Sequence, residues 1–136
     1  METKIKLRLS DEELNKISSR VISAAIEVHK ELGPGLLESV YEHCFYSELI
    51  SAGLFVEKHA VVPINYKGQE LDKFFIIDML IENEIVIELK AIEILLPVHE
   101  AQLVTYLKLA DKRLGLLINF NVPRLIDGIR RKVNKL

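Results

Sequence analysis

The stretch from Phe74 to Lys90 constrains the fold more than any other part of the chain. It reads as two apolar runs joined by a short polar turn, with an acid inside each run. β-Branched and aromatic residues dominate both runs, and Glu82, Asn83 and Glu84 separate them. The spacing therefore predicts a β-hairpin with strands over 74–81 and 84–91. If those three residues form the loop, Asp78 and Glu88 lie opposite each other, equally far from Asn83. Opposed residues share a sheet face, with Cβ atoms roughly 5 Å apart. Strand alternation puts Lys90 on the same face. A two-residue Asn83-Glu84 turn would instead set Asp78 opposite Leu89 and send the two acids to opposite faces.

Two carboxylates and an ammonium on an otherwise apolar surface need an explanation. Like charges directly opposite each other destabilise a sheet, and a desolvated carboxylate costs several kcal/mol unless it is paired. A divalent cation between the acids removes both costs, and oxygen ligands suit a hard ion such as Mg²⁺ or Mn²⁺. A structural reading stands beside this one: one acid is exposed at a sheet edge and the other pairs with Lys90. Acids on opposite faces would eliminate the metal reading.

The 136 residues, 49% hydrophobic and 28% charged, suit one domain with a full core. The expected division is an N-terminal segment, 1–10, and a single domain, 11–136. A net charge of −2 gives no overall basic signature for nucleic acid or membrane surfaces, which does not exclude an enzyme holding a short stretch of nucleic acid locally. The single cysteine, Cys44, excludes an internal disulfide and falls on the apolar side of a predicted helix. Met1 to Lys6 has no apolar core of signal-peptide length, and no run approaches the roughly 20 apolar residues of a membrane span. The expectation is a cytoplasmic protein with no membrane partner.

Ser10 and Glu13 form a capping-box pattern ahead of Leu14, Ile17, Val21, Ala24, Ala25, Val28 and Leu32, so a long amphipathic helix is expected from Asp11 to Leu32, stopped by Gly33-Pro34-Gly35. His29, near its end, is expected to be structural or capping. A second helix should run from Leu36 to Ala52, with Glu38 on the face of Tyr41 and Phe45, an acid on the core side that either emerges at the rim of the sheet or faces a cation. Phe55 to Ile64 reads as a strand, and Asn65-Tyr66-Lys67-Gly68 as a turn. Pro97 opens a helix to Ala110 that carries His99, Gln102 and Tyr106 along one side. Leu114 to Phe120 is a continuous apolar run, expected to be a strand buried on both faces. Arg124 to Lys135 is expected to be a final helix, with Arg130, Arg131, Lys132 and Lys135 as a basic cluster whose ordinary reading is a solvated helix face. The order α-α-β-β-β-α-β-α implies an α/β mixed sheet flanked by helices, with a βαβ crossover after the Glu88 strand.

Taken together, Asp78 and Glu88-Leu89-Lys90 resemble the core of the PD-(D/E)xK nuclease superfamily. Gly35-Leu36-Leu37-Glu38-Ser39-Val40-Tyr41 reads G-x-x-E-x-x-Y, and Gln102-Leu103-Val104-Thr105-Tyr106 resembles the Q-x-x-x-Y helix of the exonuclease-type branch. From Asp11 onward the chain is similar to the small GxxExxY proteins of that superfamily. The resemblance implies a restriction-endonuclease-like fold and a Mg²⁺-dependent nuclease, with DNA the expected nucleic acid partner. It implies Asp78, Glu88, the Leu89 carbonyl and Glu38 as metal ligands. Lys90 would position water or stabilise phosphate charge, while Gln102 and Tyr106 would orient substrate. Ile77 stands where the superfamily name has proline. Asn121 stands where a glycine is expected after Asn119-Phe120, and asparagine tolerates positive φ. The rival reading is a catalytically inactive nuclease-fold module that binds nucleic acid or a partner protein. The long first helix leaves room for a homo-oligomer.

Overall fold

Helix α1 (Asp11–Leu32) starts on the expected capping box: the Glu13 N–H donates to Ser10 Oγ at 3.1 Å, and the Ser10 N–H donates to the Glu13 carboxylate at 3.4 Å. It stops at Gly33, whose φ of 66° favours glycine and whose N–H donates to the His29 carbonyl at 2.8 Å. The computed structural model describes residues 8–136; of the expected N-terminal segment, positions 1–7 lie outside them. Helix α2 (Glu38–Ser51) begins two residues later than expected. Strands β1 (Val56–Tyr66) and β2 (Gln69–Ile81) then make a long antiparallel arm through a turn at Lys67-Gly68, and β2 starts well before Phe74. Strand β3 (Ile85–Lys90), helix α3 (Pro97–Ala110) and strand β4 (Leu114–Asn119) follow.

The sheet order is β1-β2-β3-β4-β5, antiparallel except for the parallel β3–β4 pair that α3 connects. This is the expected crossover and mixed sheet. Helices α1 and α2 cover one face, packing on Met79, Ile81, Ile85, Ile87, Leu89, Leu116 and Ile118. Helix α3 covers the other, setting Leu103 and Leu107 against Ile77, Leu80, Val86 and Leu117. Strand β4 is buried along its whole length, as a strand covered on both faces must be.

The expected final helix is absent. A 3₁₀ turn at Leu125–Gly128 leads instead into strand β5 (Ile129–Val133), paired from Leu114↔Val133 to Ile118↔Ile129. Leu125, Ile129 and Val133 recur every fourth position and imitate a helical stripe. The competing requirement is the outer edge of β4, whose backbone groups would be left unpaired. Arg130, Arg131 and Lys132 therefore lie on an edge strand, and Lys135 lies beyond it. Arg130 and Lys132 reach the Glu100 carboxylate at 3.9 and 2.6 Å, and Arg131 donates to Asn15 at 3.0 Å.

One irregularity positions the site. The β1–β2 ladder skips the His59–Asp78 pair while keeping its register on both sides, Lys58↔Met79 and Ala60↔Ile77. His59 has φ 55°. Across this break the strands change sides: Val56 and Met79 face α1 and α2, whereas Ala60 and Ile77 face α3. Plain alternation would keep each of these pairs of like-numbered positions on one face.

Gly128 is fixed by close approach, because a Cβ there would stand 2.2 Å from the Asn119 carbonyl oxygen. Gly128→Ala should lower stability by about 1–3 kcal/mol. The expected reading is a fall in the urea midpoint at unchanged m-value.

Candidate active site

The hairpin takes the three-residue register. Ile81↔Ile85, Leu80↔Val86 and Met79↔Ile87 pair, and the Glu84 N–H closes the turn on the Ile81 carbonyl at 2.9 Å. Glu82 and Asn83 both take positive φ, 52° and 56°. The regular ladder ends at Met79, and the next position on each strand carries an acid. Instead of a backbone partner, the Leu89 N–H has the Asp78 carboxylate, at 2.7 Å. The Asp78 N–H points at Glu88 Oε1 at 3.4 Å. Both acids thus lie on one face, at the point where the β1–β2 break turns Asp78 toward β3.

Glu88 is only 6% exposed. Its carboxyl is pushed up to about 8, first by burial, then by the charge of Asp78 and a hydrogen bond between the two side chains. Lys90, half-buried at the end of β3, opposes this without cancelling it. Glu38 opens α2 at the rim of the same site. It is exposed at that rim, the first of the two expected alternatives, yet partial burial and Asp78 raise its carboxyl while Lys90 lowers it. On the α3 side, the Tyr106 ring stacks on Phe75 with centroids 4.2 Å apart. Its hydroxyl is raised by burial and by the charges of Glu88 and Asp78. Gln102 lies one turn before Tyr106, exposed on the same side of α3. His99 is a cap: its Nδ1 accepts the Leu96 N–H at 2.9 Å.

The donor set suits a hard cation without enclosing one. Among the described residues, no three His, Cys, Asp or Glu side chains converge as a ready-made cage. Mg²⁺ does not require one, since it binds through one or two carboxylates and keeps waters and substrate phosphates as its other ligands. A strand residue presents its N–H and C=O to the same neighbour. The Leu89 carbonyl is therefore aimed to the side where its N–H meets Asp78.

The loop ahead of Glu38 is tied by residues whose roles the sequence did not disclose. Tyr41 is fully buried, with its ring stacked on Phe120 at 4.8 Å. Its hydroxyl donates to the Gly33 carbonyl at 2.5 Å and accepts the Leu36 N–H at 3.2 Å. Asn121 does not take positive φ; its side-chain oxygen accepts the Gly35 N–H at 3.0 Å. His29 is structural as expected, with Nε2 2.7 Å from the Val122 carbonyl. Asn119, 1% exposed, accepts the Ile92 N–H at 3.0 Å and donates to the Ile92 carbonyl at 2.9 Å. It thereby fixes the chain just after Lys90. The available signal was an amide inside an otherwise apolar run.

A family model described as the PD-(D/E)XK nuclease superfamily matches residues 15–132. The chain belongs to that superfamily. Its fold is similar to the crystal structure of SSO0001, with a TM-score of 0.55 at 22% identity over 91% of this chain and 63% of that one. This chain therefore spans less than two thirds of that protein's length. No protein of curated function matches it. Among the described residues, no helix of this superfamily member is long and apolar enough to cross a membrane.

The buried acid gives a pH dependence of definite sign. Glu88 titrates near 8 when folded, above the ordinary 4.5, so between those values the folded state holds a proton that the unfolded chain has released. In the absence of divalent cations its contribution is fully present below about pH 4.5 and is lost as pH rises through about 8. The total loss should be on the order of 5 kcal/mol at most, and Glu88→Gln should flatten it. Urea titrations of both proteins in EDTA at about pH 5 and about pH 9 measure the difference.

Proposed function

We propose that this superfamily member is an active Mg²⁺- or Mn²⁺-dependent nuclease of the GxxExxY branch, hydrolysing phosphodiester bonds of DNA. The observation that carries the reading is the contact between the Asp78 and Glu88 carboxyls on a buried face, with Lys90 and Glu38 beside them. Replacing buried charged groups by well-packed apolar residues of similar volume is often neutral or stabilising, so stability alone gives little reason for such a pair.

Asp78, Glu88, the Leu89 carbonyl and Glu38 would hold the cation. Bound there, Mg²⁺ supplies a nucleophile at neutral pH and Lewis-acid stabilisation of the phosphoryl oxygens. Asp78 is pre-oriented by the Leu89 N–H, so the carboxylate is directed before substrate arrives. Lys90 positions the attacking water or stabilises charge on the scissile phosphate. Tyr106, braced by Phe75, and Gln102 orient the substrate from the α3 side.

Calorimetric titration of Mn²⁺ and Mg²⁺ into wild type and Asp78→Ala, followed by incubation with mixed DNA substrates, tests the reading. Metal binding and cleavage should vanish together in the variant. Lys90→Ala should lower cleavage by at least about 100-fold while leaving metal affinity largely intact. A wild type that binds no cation, alone or with DNA present, and cleaves nothing would leave the fold as an inactive binding module.

A further inference from the structure

The break in the β1–β2 ladder meets helix α2 through a side-chain contact. His59, at the break, turns its side chain to helix α2, where Nε2 lies 2.7 Å from the Glu42 carboxylate. Glu42 is one helical turn beyond Glu38, and its charge is felt at the Glu38 carboxyl. One turn further along the same helix, Tyr46 carries the Lys58 ammonium over its ring at 4.4 Å from the centroid. Glu38, Glu42 and Tyr46 thus form a single stripe, and its last two members grip consecutive residues of β1. The residue opposite His59 in the β1–β2 register is Asp78.

We propose that the His59–Glu42 pair is a positioning clamp that fixes the helix presenting Glu38 against the strand break that orients Asp78, and so sets the separation of these two acids. Positive φ in mid-strand is uncommon for a residue with a side chain. Glycine would take it at no steric cost, but could not reach Glu42. A side chain at this point that ties strand to helix explains both features. His59 and Glu42 act through Glu38 and Asp78, and neither is assigned a contact with substrate. The inference rests on the proposed metal site and adds the part that adjusts it. Removal of groups that orient ligands ordinarily costs 10–100-fold in metal affinity.

His59→Gly keeps the backbone conformation and removes the clamp. Glu42→Ala removes it from the helix side, and Glu42→Gln keeps an acceptor for the imidazole N–H. Carboxyl ¹³C shifts of Asp78 and Glu38 in the cation-free proteins, and calorimetric titration with Mn²⁺ alone, read the result. His59→Gly and Glu42→Ala should move both carboxyl resonances and weaken Mn²⁺ by about 10–100-fold at retained fold by circular dichroism, with Glu42→Gln nearer to wild type. Unmoved resonances in a folded His59→Gly protein would overturn the clamp, as would undiminished Mn²⁺ affinity in that variant where the wild type binds the ion. Moved resonances in a wild-type background that takes no Mn²⁺ would uphold the clamp and remove the metal reading instead.

Discussion

Two carboxyl groups side by side on a covered sheet face cannot both be charged without a counter-charge, and much of the geometry around Asp78 and Glu88 answers that constraint. Coulomb repulsion at contact distance grows as water is removed, and Ile77, Leu80, Val86 and Leu103 keep water from the face beneath them. The fold meets the problem in three ways. It ends the β2–β3 ladder at Met79, so that the Leu89 N–H is free to donate to Asp78. It leaves Glu88 to hold its proton to about pH 8. It brings Lys90 to the same end of β3. Lys90 alone does not restore Glu88 to an ordinary carboxyl, which is why a divalent cation is the more effective partner in the proposed reading.

The remaining elements converge on this end of the sheet. Strands β3 and β4 run parallel, so their carboxyl ends open together, where ligands of open α/β sheets ordinarily bind. Asn119 bonds both backbone groups of Ile92 and stops the chain beyond Lys90 from swinging. Asn121 and Tyr41 hold the loop from Gly33 to Leu36, and through it the start of α2. The G-x-x-E-x-x-Y run therefore has a mechanical meaning in this chain. The glycine bends the approach, the glutamate opens the helix at the rim, and the tyrosine one turn on anchors the bend from below.

The sequence disclosed elements whose signals are local. Ser10 and Glu13, Gly33, Pro97 and the apolar stripe between them defined α1 and the start of α3, because caps and helical spacing depend on near neighbours alone. The hairpin was legible too, and only its loop length decided whether Asp78 and Glu88 would meet. What was not legible depends on long-range pairing. Ile129 and Val133 sit at helical spacing and became a strand because β4 had an open edge. The change of face between Val56 and Ala60 breaks the alternation by which strands are read, and nothing around His59 announces it. Glu38 shares a helical face with Tyr41, but one turn of helix separates a fully buried ring from a carboxylate at the rim. Periodicity assigns a side to a residue; it does not say how far along the helix the cover extends.

The site gathers three acids against one lysine, in a chain whose net charge is −2, and its proposed substrate is a polyanion. The basic residues on β5 do not offset this freely, since Arg130 and Lys132 share Glu100. Without a cation, approach of a phosphodiester to Asp78 and Glu88 is repulsive. With one, the same carboxylates become the means of attraction. Under the proposed function, metal and nucleic acid each raise the other's affinity, and linkage requires the two enhancements to be equal. The proposed site of three carboxylates and a main-chain carbonyl, which does not enclose its cation, would permit such coupling. A closed cage would bind its metal tightly whether or not substrate was present, and the coupling would be lost.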